Sequence, residues 1–283
     1  MAAFGERVRS VVGARGPLCV GIDPHLSLLA EWGLAADAGG VREFGLRVVE
    51  AATGRAGFVK PQASFYERFG SAGFAALEEV LAAARAAGLI VIADAKRGDI
   101  GSTMDAYAAA WLAPGSPLEA DALTMSPYLG VGALEGALSL ADAHGKGAFV
   151  LAATSNPEAV GVQRAATERG TVSASIVSDV SARNARVAAD GEWGSTGLVI
   201  GATVGWTDAG LAPFAPPAPI LAPGFGFQGA RGGDLASVFG DMAPCVIASE
   251  SRSILAAGPA DIADAVAEAA RAYRRERDGG SVD

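Results

Sequence analysis

The chain has 283 residues, long for one ordinary domain but suited to an α/β barrel, a fold that runs to about 250 residues as a unit. Hydrophobic residues make up 51% and charged ones only 19%, ample material for a large core. The excess of 31 acidic over 22 basic residues argues against a nucleic-acid partner, so any anionic substrate must be held by local positive groups against a repulsive overall field.

The N-terminus, MAAFGERVRS, carries no apolar stretch long enough for a signal peptide, and no run approaches the ~18 apolar residues of a membrane span. A soluble, cytoplasmic protein without a membrane partner is expected. Short apolar segments then alternate with longer amphipathic ones. The first strand is expected over Pro17–Asp23, followed by a helix with Val41, Phe44, Val48 and Ala52 on one face. Strands at Gly57–Lys60 and Leu89–Asp94 flank a second helical pattern, Phe74, Leu77, Leu81 and Ala84. Further strands are expected at Ala122–Ser126 and Ala148–Thr154. Residues 155–196 form an extended connection with a helical middle, Thr171–Ala189. Gly197–Thr203, Pro219–Pro223 and Pro244–Ser249 complete the strands, with a Pro- and Ala-rich ordered turn over 205–218. Ile262, Val266, Ala270 and Tyr273 mark a last helix before a charged tail, 274–283.

Most of these strands are near-continuous hydrophobic runs, as in parallel sheets covered on both faces. With no composition shift and no internal repeat, the expectation is one α/β domain over 1–283, a single (β/α)8 TIM barrel, although an open doubly wound sheet shares the alternation. Cys19 and Cys245 sit inside apolar runs and are expected as buried, reduced thiols. Two histidines without paired-ligand spacing do not make a zinc site.

Polar residues cluster at the C-terminal ends of the predicted strands, where barrel active sites are built. Strand 1 ends in Asp23, strand 2 in Lys60, and strand 3 in Asp94 followed by Lys96 and Asp99. Residues i and i+2 of a strand point the same way, so Asp94 and Lys96 are both expected to face the barrel axis, with Ala95 turned outward. An alternating Asp–Lys array lets each charge neutralise its neighbours. The plain alternative is a buried ion-pair network, or solvated charges at strand ends.

A second constellation lies late in the chain. The glycines of Gly224-Phe-Gly226-Phe-Gln228-Gly229 allow backbone N–H groups to approach a phosphate, and the next strand runs into Ser249-Glu-Ser-Arg252, which adds a guanidinium. The same loop matches a dinucleotide-binding G-x-G-x-x-G with Glu250 at a suitable distance. That reading ignores the Asp/Lys cluster and leaves only one strand after the loop. Ser155 and Ser126 follow strands 5 and 4 and fit either a heterocycle contact or a turn. His25 and His144 suggest no catalytic pair.

The run Asp94-Ala-Lys96-Arg97-Gly98-Asp99-Ile100-Gly101-Ser102-Thr103 resembles the signature of orotidine 5′-phosphate decarboxylases, especially their longer bacterial branch. Val-Gly-Ile-Asp23-Pro, Phe-Val-Lys60-Pro-Gln, Thr-Ser155-Asn-Pro, Pro223-Gly-Phe-Gly-Phe-Gln228-Gly and Ser251-Arg252-Ser-Ile extend the resemblance in the family's order. It implies a carboxy-lyase that converts orotidine 5′-monophosphate to uridine 5′-monophosphate in pyrimidine synthesis without metal or cofactor, Lys96 protonating C6. Lys60, Asp94, Lys96 and Asp99 are then the catalytic array. Asp23 and Lys60 would bind ribose, Ser155 the pyrimidine, and Gln228 and Arg252 the phosphate, with Pro223 and Gly229 lining the nucleotide site. The resemblance also implies a homodimer in which Asp99, Ile100 and Thr103 reach the neighbour's active site. Rival readings are a related Asp-x-Lys barrel that acts on sugar phosphates with Mg2+, which asks for a second acid near strand 2, and a non-catalytic nucleotide-binding barrel.

Overall fold

Eight parallel strands close into a barrel in chain order: β1 (Leu18–Ile22), β2 (Phe58–Pro61), β3 (Ile90–Arg97), β4 (Ala122–Met125), β5 (Gly147–Ala153), β6 (Thr196–Ile200), β7 (Ile220–Pro223) and β8 (Val246–Glu250). The structure is a computed structural model and describes residues 2–226 and 229–277. Closure is made by β8 against β1, with Leu18 opposite Ala248 and Val20 opposite Glu250. That pairing decides against an open doubly wound sheet. Every residue of β1, β2, β4 and β6 is buried, as the apolar runs require when side chains fill the barrel on one face and pack under helices on the other.

The amphipathic segments form the outer helices. Asp37 caps the helix Ala38–Ala52 by accepting from the Gly40 N–H at 2.8 Å, and its predicted face of Val41, Phe44, Val48 and Ala52 is buried. In the helix Gly70–Ala86, Leu77, Leu81 and Ala84 are buried and Phe74 is half-buried. The last helix, Gly258–Arg277, buries Ile262, Val266, Ala270 and Tyr273 and includes Arg274–Arg277, so the first part of the expected tail is helical.

A helix at Phe4–Arg15, not expected from the sequence, packs against the N-terminal end of the barrel. Its apolar residues Phe4, Val8 and Val12 are buried, and Phe4 stands edge-on to Phe149 with ring centroids 6.1 Å apart. The close fit needs Gly147, where a Cβ would lie 2.1 Å from the Phe4 ring. Arg7 ties the helix to the start of β4 through Asp121 at 2.6 Å.

Residues 155–196 hold more structure than their mixed composition suggests. A turn at Pro157–Ala159, a short helix Val160–Gln163 and an antiparallel ribbon of Ala166–Thr167 with Gly170–Thr171 precede the helix Val172–Val187. Within that helix the side chain of Arg183, only 2% exposed, bonds Asp142 at 2.8 Å and Thr196 at 3.1 Å and pairs with Glu135. A buried guanidinium is tolerable only with such partners, and here they pin the connection to β6 and to the helix Glu135–Ala143. Cys19 and Cys245 are buried free thiols, and among the described residues no helix is long and apolar enough to cross a membrane.

Candidate active site

The charged groups meet at the C-terminal mouth of the barrel. Lys60, on β2, donates from Nζ to Asp94 Oδ2 at 3.0 Å and lies 4.0 Å from Asp23 Oδ1. Lys96 donates from Nζ to the other oxygen, Asp94 Oδ1, at 2.5 Å. Asp94 and Lys60 are buried, whereas the Lys96 side chain is 47% exposed and reaches into the mouth. Burial by itself pushes the Asp94 carboxyl up and the Lys60 ammonium down. The mutual attraction of Lys60, Lys96, Asp94 and Asp23 outweighs both, holding Asp94 below the usual carboxylate range and Lys60 above the usual lysine range. Beneath them the thiol of Cys19 is pushed up to about 12, mainly by burial, and stays neutral.

Asp94 and Lys96 meet as the sequence leads one to expect, but the backbone between them is not a plain alternating strand. Ala93 pairs with Leu123 and Arg97 with Met125, so residues 94–96 of β3 face Thr124 alone on β4. The extra length is absorbed at Lys96, which has φ 49° and is the one non-glycine with positive φ among the described residues. Such a conformation costs roughly 1–3 kcal/mol and persists only where its surroundings hold it. Thr124 Oγ1 accepts from the Lys96 backbone N–H at 3.0 Å and donates to Asp94 Oδ1 at 2.9 Å. Arg97 turns aside from the array, paired with Glu67 and lying over the Tyr107 and Trp111 rings.

Asp99 is not brought into this array within the chain. Its Oδ1 accepts from the Ile100 N–H at 2.8 Å, just ahead of the helix Gly101–Leu112. Ile100, 62% exposed, and Thr103 also face outward.

The second constellation flanks the first across β7, β8 and β1. Gly224, Gly226 and Gly229 all adopt positive φ, and the Gly226 N–H donates to the Ala230 carbonyl at 2.8 Å, closing a tight loop beyond Pro223. Gln228 lies outside the described residues. Arg252 is exposed at the start of the short helix Arg252–Leu255. Its neighbour Ser251 donates to Asp23 Oδ2 at 2.6 Å and so joins the two constellations. Ser155 is exposed at the end of β5, its backbone nitrogen within 3.4 Å of where a Cβ on Gly201, after β6, would lie. Glu250 is held within the chain, accepting from Ser253 at 2.6 Å and from Tyr273 at 2.9 Å.

Three contacts escaped the sequence reading: Thr124, Ser251 and Gln62. With its nitrogen facing Asp94, the Gln62 amide donates to Asp94 Oδ2 at 2.5 Å. The available signal for Thr124 was a lone hydroxyl inside the apolar run of β4.

A profile of the orotidine 5′-phosphate decarboxylase / HUMPS family matches residues 16–273. The chain belongs to this family. A Salinispora tropica orotidine 5′-phosphate decarboxylase is 54% identical over 260 residues, 92% of each chain. One from Corynebacterium efficiens is 50% identical over 263 residues, covering 90% of this chain and 91% of its own. Among solved structures, a Streptomyces avermitilis protein provisionally given the same description superposes with TM-score 0.91 at 47% identity, over 98% of this chain and 96% of that one. Leishmania donovani OMP decarboxylase superposes with TM-score 0.71 at 29% identity, over 96% and 99%. The matched span includes both the Asp/Lys mouth and the glycine loop, where the dinucleotide reading used the loop alone.

The shifted titrations bear on stability. Asp94 is held ionised, so its contribution is present above about pH 4 and is lost as pH falls through its lower folded value; that of Lys60 is present below about pH 10 and is lost as pH rises through its higher one. Asp94→Asn should therefore destabilise the protein at pH 7 by about 3 kcal/mol, the cost of leaving a buried ammonium short of its partner. Urea unfolding at pH 7 and in acid checks this: the gap between wild type and variant should narrow as pH drops below about 4.

Proposed function

We propose that this protein decarboxylates orotidine 5′-monophosphate to uridine 5′-monophosphate, without metal or cofactor, with Lys96 as the acid. The observation that carries the reading is the Asp94 carboxylate shared between the ammoniums of Lys60 and Lys96 at the barrel mouth. Breaking the C6–carboxylate bond releases CO2 and leaves the electron pair on C6, where the pyrimidine ring delocalises it poorly. The Lys96 ammonium would stabilise that charge before it forms and then give its proton to C6. Asp94, bonded to both lysines, has the contacts to orient Lys96.

Around this centre the remaining residues fit the rest of the nucleotide. Asp23 Oδ1 is buried and accepts no hydrogen bond among the described residues, which supports a ribose hydroxyl as its donor, with Lys60 alongside. Ser155, at the end of β5, would meet the pyrimidine. Gln228 and Arg252 would hold the phosphate, whose binding energy can be used to close the site over the reacting carbon, and Pro223 and Gly229 would line the nucleotide site. The Mg2+-dependent rival asks for a second acid at the end of β2; the residue there is Lys60, whose ammonium would repel a cation bound to Asp94.

A second copy of the chain would complete the site as a homodimer. Asp99 bonds the Ile100 N–H and not Lys60, Asp94 or Lys96, Thr103 is exposed, and Ile100, Tyr128 and Leu129 are large apolar residues left exposed. These exposed apolar side chains support a partner to which Asp99, Ile100 and Thr103 would be delivered.

With excess EDTA, the wild type should bleach the orotate chromophore of orotidine 5′-monophosphate, and Lys96→Ala should slow this by at least about 1,000-fold. No turnover by the folded wild type would overturn the assignment. Arg252→Ala should lower kcat/KM for the nucleotide by about 2–4 kcal/mol, roughly 30- to 1,000-fold, and change little for orotidine, which lacks the phosphate. Equal losses on both would show that Arg252 holds no phosphate. Finally, Asp99→Asn and Lys96→Ala chains should each be inactive alone. Co-expressed, they should recover about a quarter of wild-type activity, because mixed dimers contain one intact site. No recovery would mean that Asp99 serves its own chain.

A further inference from the structure

We infer that Thr124 is a positioning residue of this site, one hydroxyl that sets both the backbone of Lys96 and the carboxylate of Asp94. The inference rests on the decarboxylase reading for its catalytic consequence. The register shift between β3 and β4 is its starting point. Residues 94–96 bulge opposite a single residue of β4, so the Lys96 N–H faces a side chain where a regular ladder would offer a carbonyl. The residue there is Thr124, buried to 1% exposure between Leu123 and Met125, neither of which has a hydrogen-bonding group suited to the task.

A hydroxyl has one proton and two lone pairs. One lone pair takes the Lys96 N–H at 3.0 Å. The proton has two acceptors in reach, Asp94 Oδ1 at 2.9 Å and the Ala93 carbonyl at 3.5 Å; the nearer one is also charged and takes it. The side chain of Lys96 is long and half-exposed, and its ammonium is located by two anchors, its own Cα and the Asp94 oxygen it bonds. Both anchors run through Thr124. The left-handed φ of Lys96 is thereby held by a specific contact, and the ammonium is aimed before substrate arrives.

Substrate affinity depends on other groups, so Thr124 should act on kcat. Thr124→Val, nearly equal in shape, should lower kcat by about 10- to 100-fold and leave KM within about threefold, while Thr124→Ser keeps most of the wild-type kcat. Wild-type turnover establishes the reaction in the same assay. A Val variant with wild-type kcat, or one that loses only KM, overturns the inference. If the Val variant does not fold, Thr124→Ser and Thr124→Cys, close in volume but unequal as hydrogen-bonding groups, carry the comparison; equal kcat in the two overturns it. Exchange of the Lys96 backbone amide, followed by NMR, reads the anchor without turnover. Protection in the wild type and Ser variant that is lost in the Val or Cys variant supports the role even if no decarboxylation is found. Equal protection in all of them overturns it.

Discussion

One carboxylate with two ammoniums on it is the constraint around which this mouth is built. Asp94 is buried, and a buried anion at the end of a strand is stable only if its charge is matched and its lone pairs are filled. Lys60 and Gln62 serve one oxygen, Lys96 and Thr124 the other. The arrangement is coupled: Asp94 holds the Lys60 ammonium above the usual lysine range, and Lys60 and Lys96 together hold Asp94 below the usual carboxylate range. The same attraction that makes the ions bearable in the interior holds the half-exposed Lys96 ammonium against Asp94 at the mouth.

The barrel makes this affordable by dividing its two ends. At the N-terminal end, apolar packing of the helix Phe4–Arg15 against β5 and the buried Arg183 cluster near β6 fix the scaffold. The C-terminal end carries the strain, the positive-φ lysine and the glycine turns. Stability at one end tolerates an otherwise unfavourable charge constellation at the other.

Much of this was legible in the sequence, for identifiable reasons. Strands covered on both faces are written as apolar runs, so all of them could be placed to within a few residues. Lys60 and Asp94 stood out because a charge at the end of such a run is costly unless used. Thr124 was hidden, since threonine is a common strand former and its part depends on a register shift between two strands. The same bulge defeated simple alternation at Lys96. Asp99 belongs to the same linear run as Asp94 but departs from it in space, because β3 ends at Arg97 and the chain then turns toward the helix Gly101–Leu112. The helix Phe4–Arg15 was readable in principle from Phe4, Val8 and Val12 on one face, but three apolar residues make only a short stripe.

The bond between Ser251 and Asp23 spans 228 residues and crosses the seam where the last strand meets the first. On a ribosome adding about 5–20 residues per second, roughly 10–45 s separate the synthesis of the two partners. The Asp94, Lys96 and Thr124 cluster, by contrast, needs only β3 and β4, which emerge close together. The emerging chain therefore has all the residues of the Asp94, Lys96 and Thr124 cluster long before it has the partner that holds Asp23.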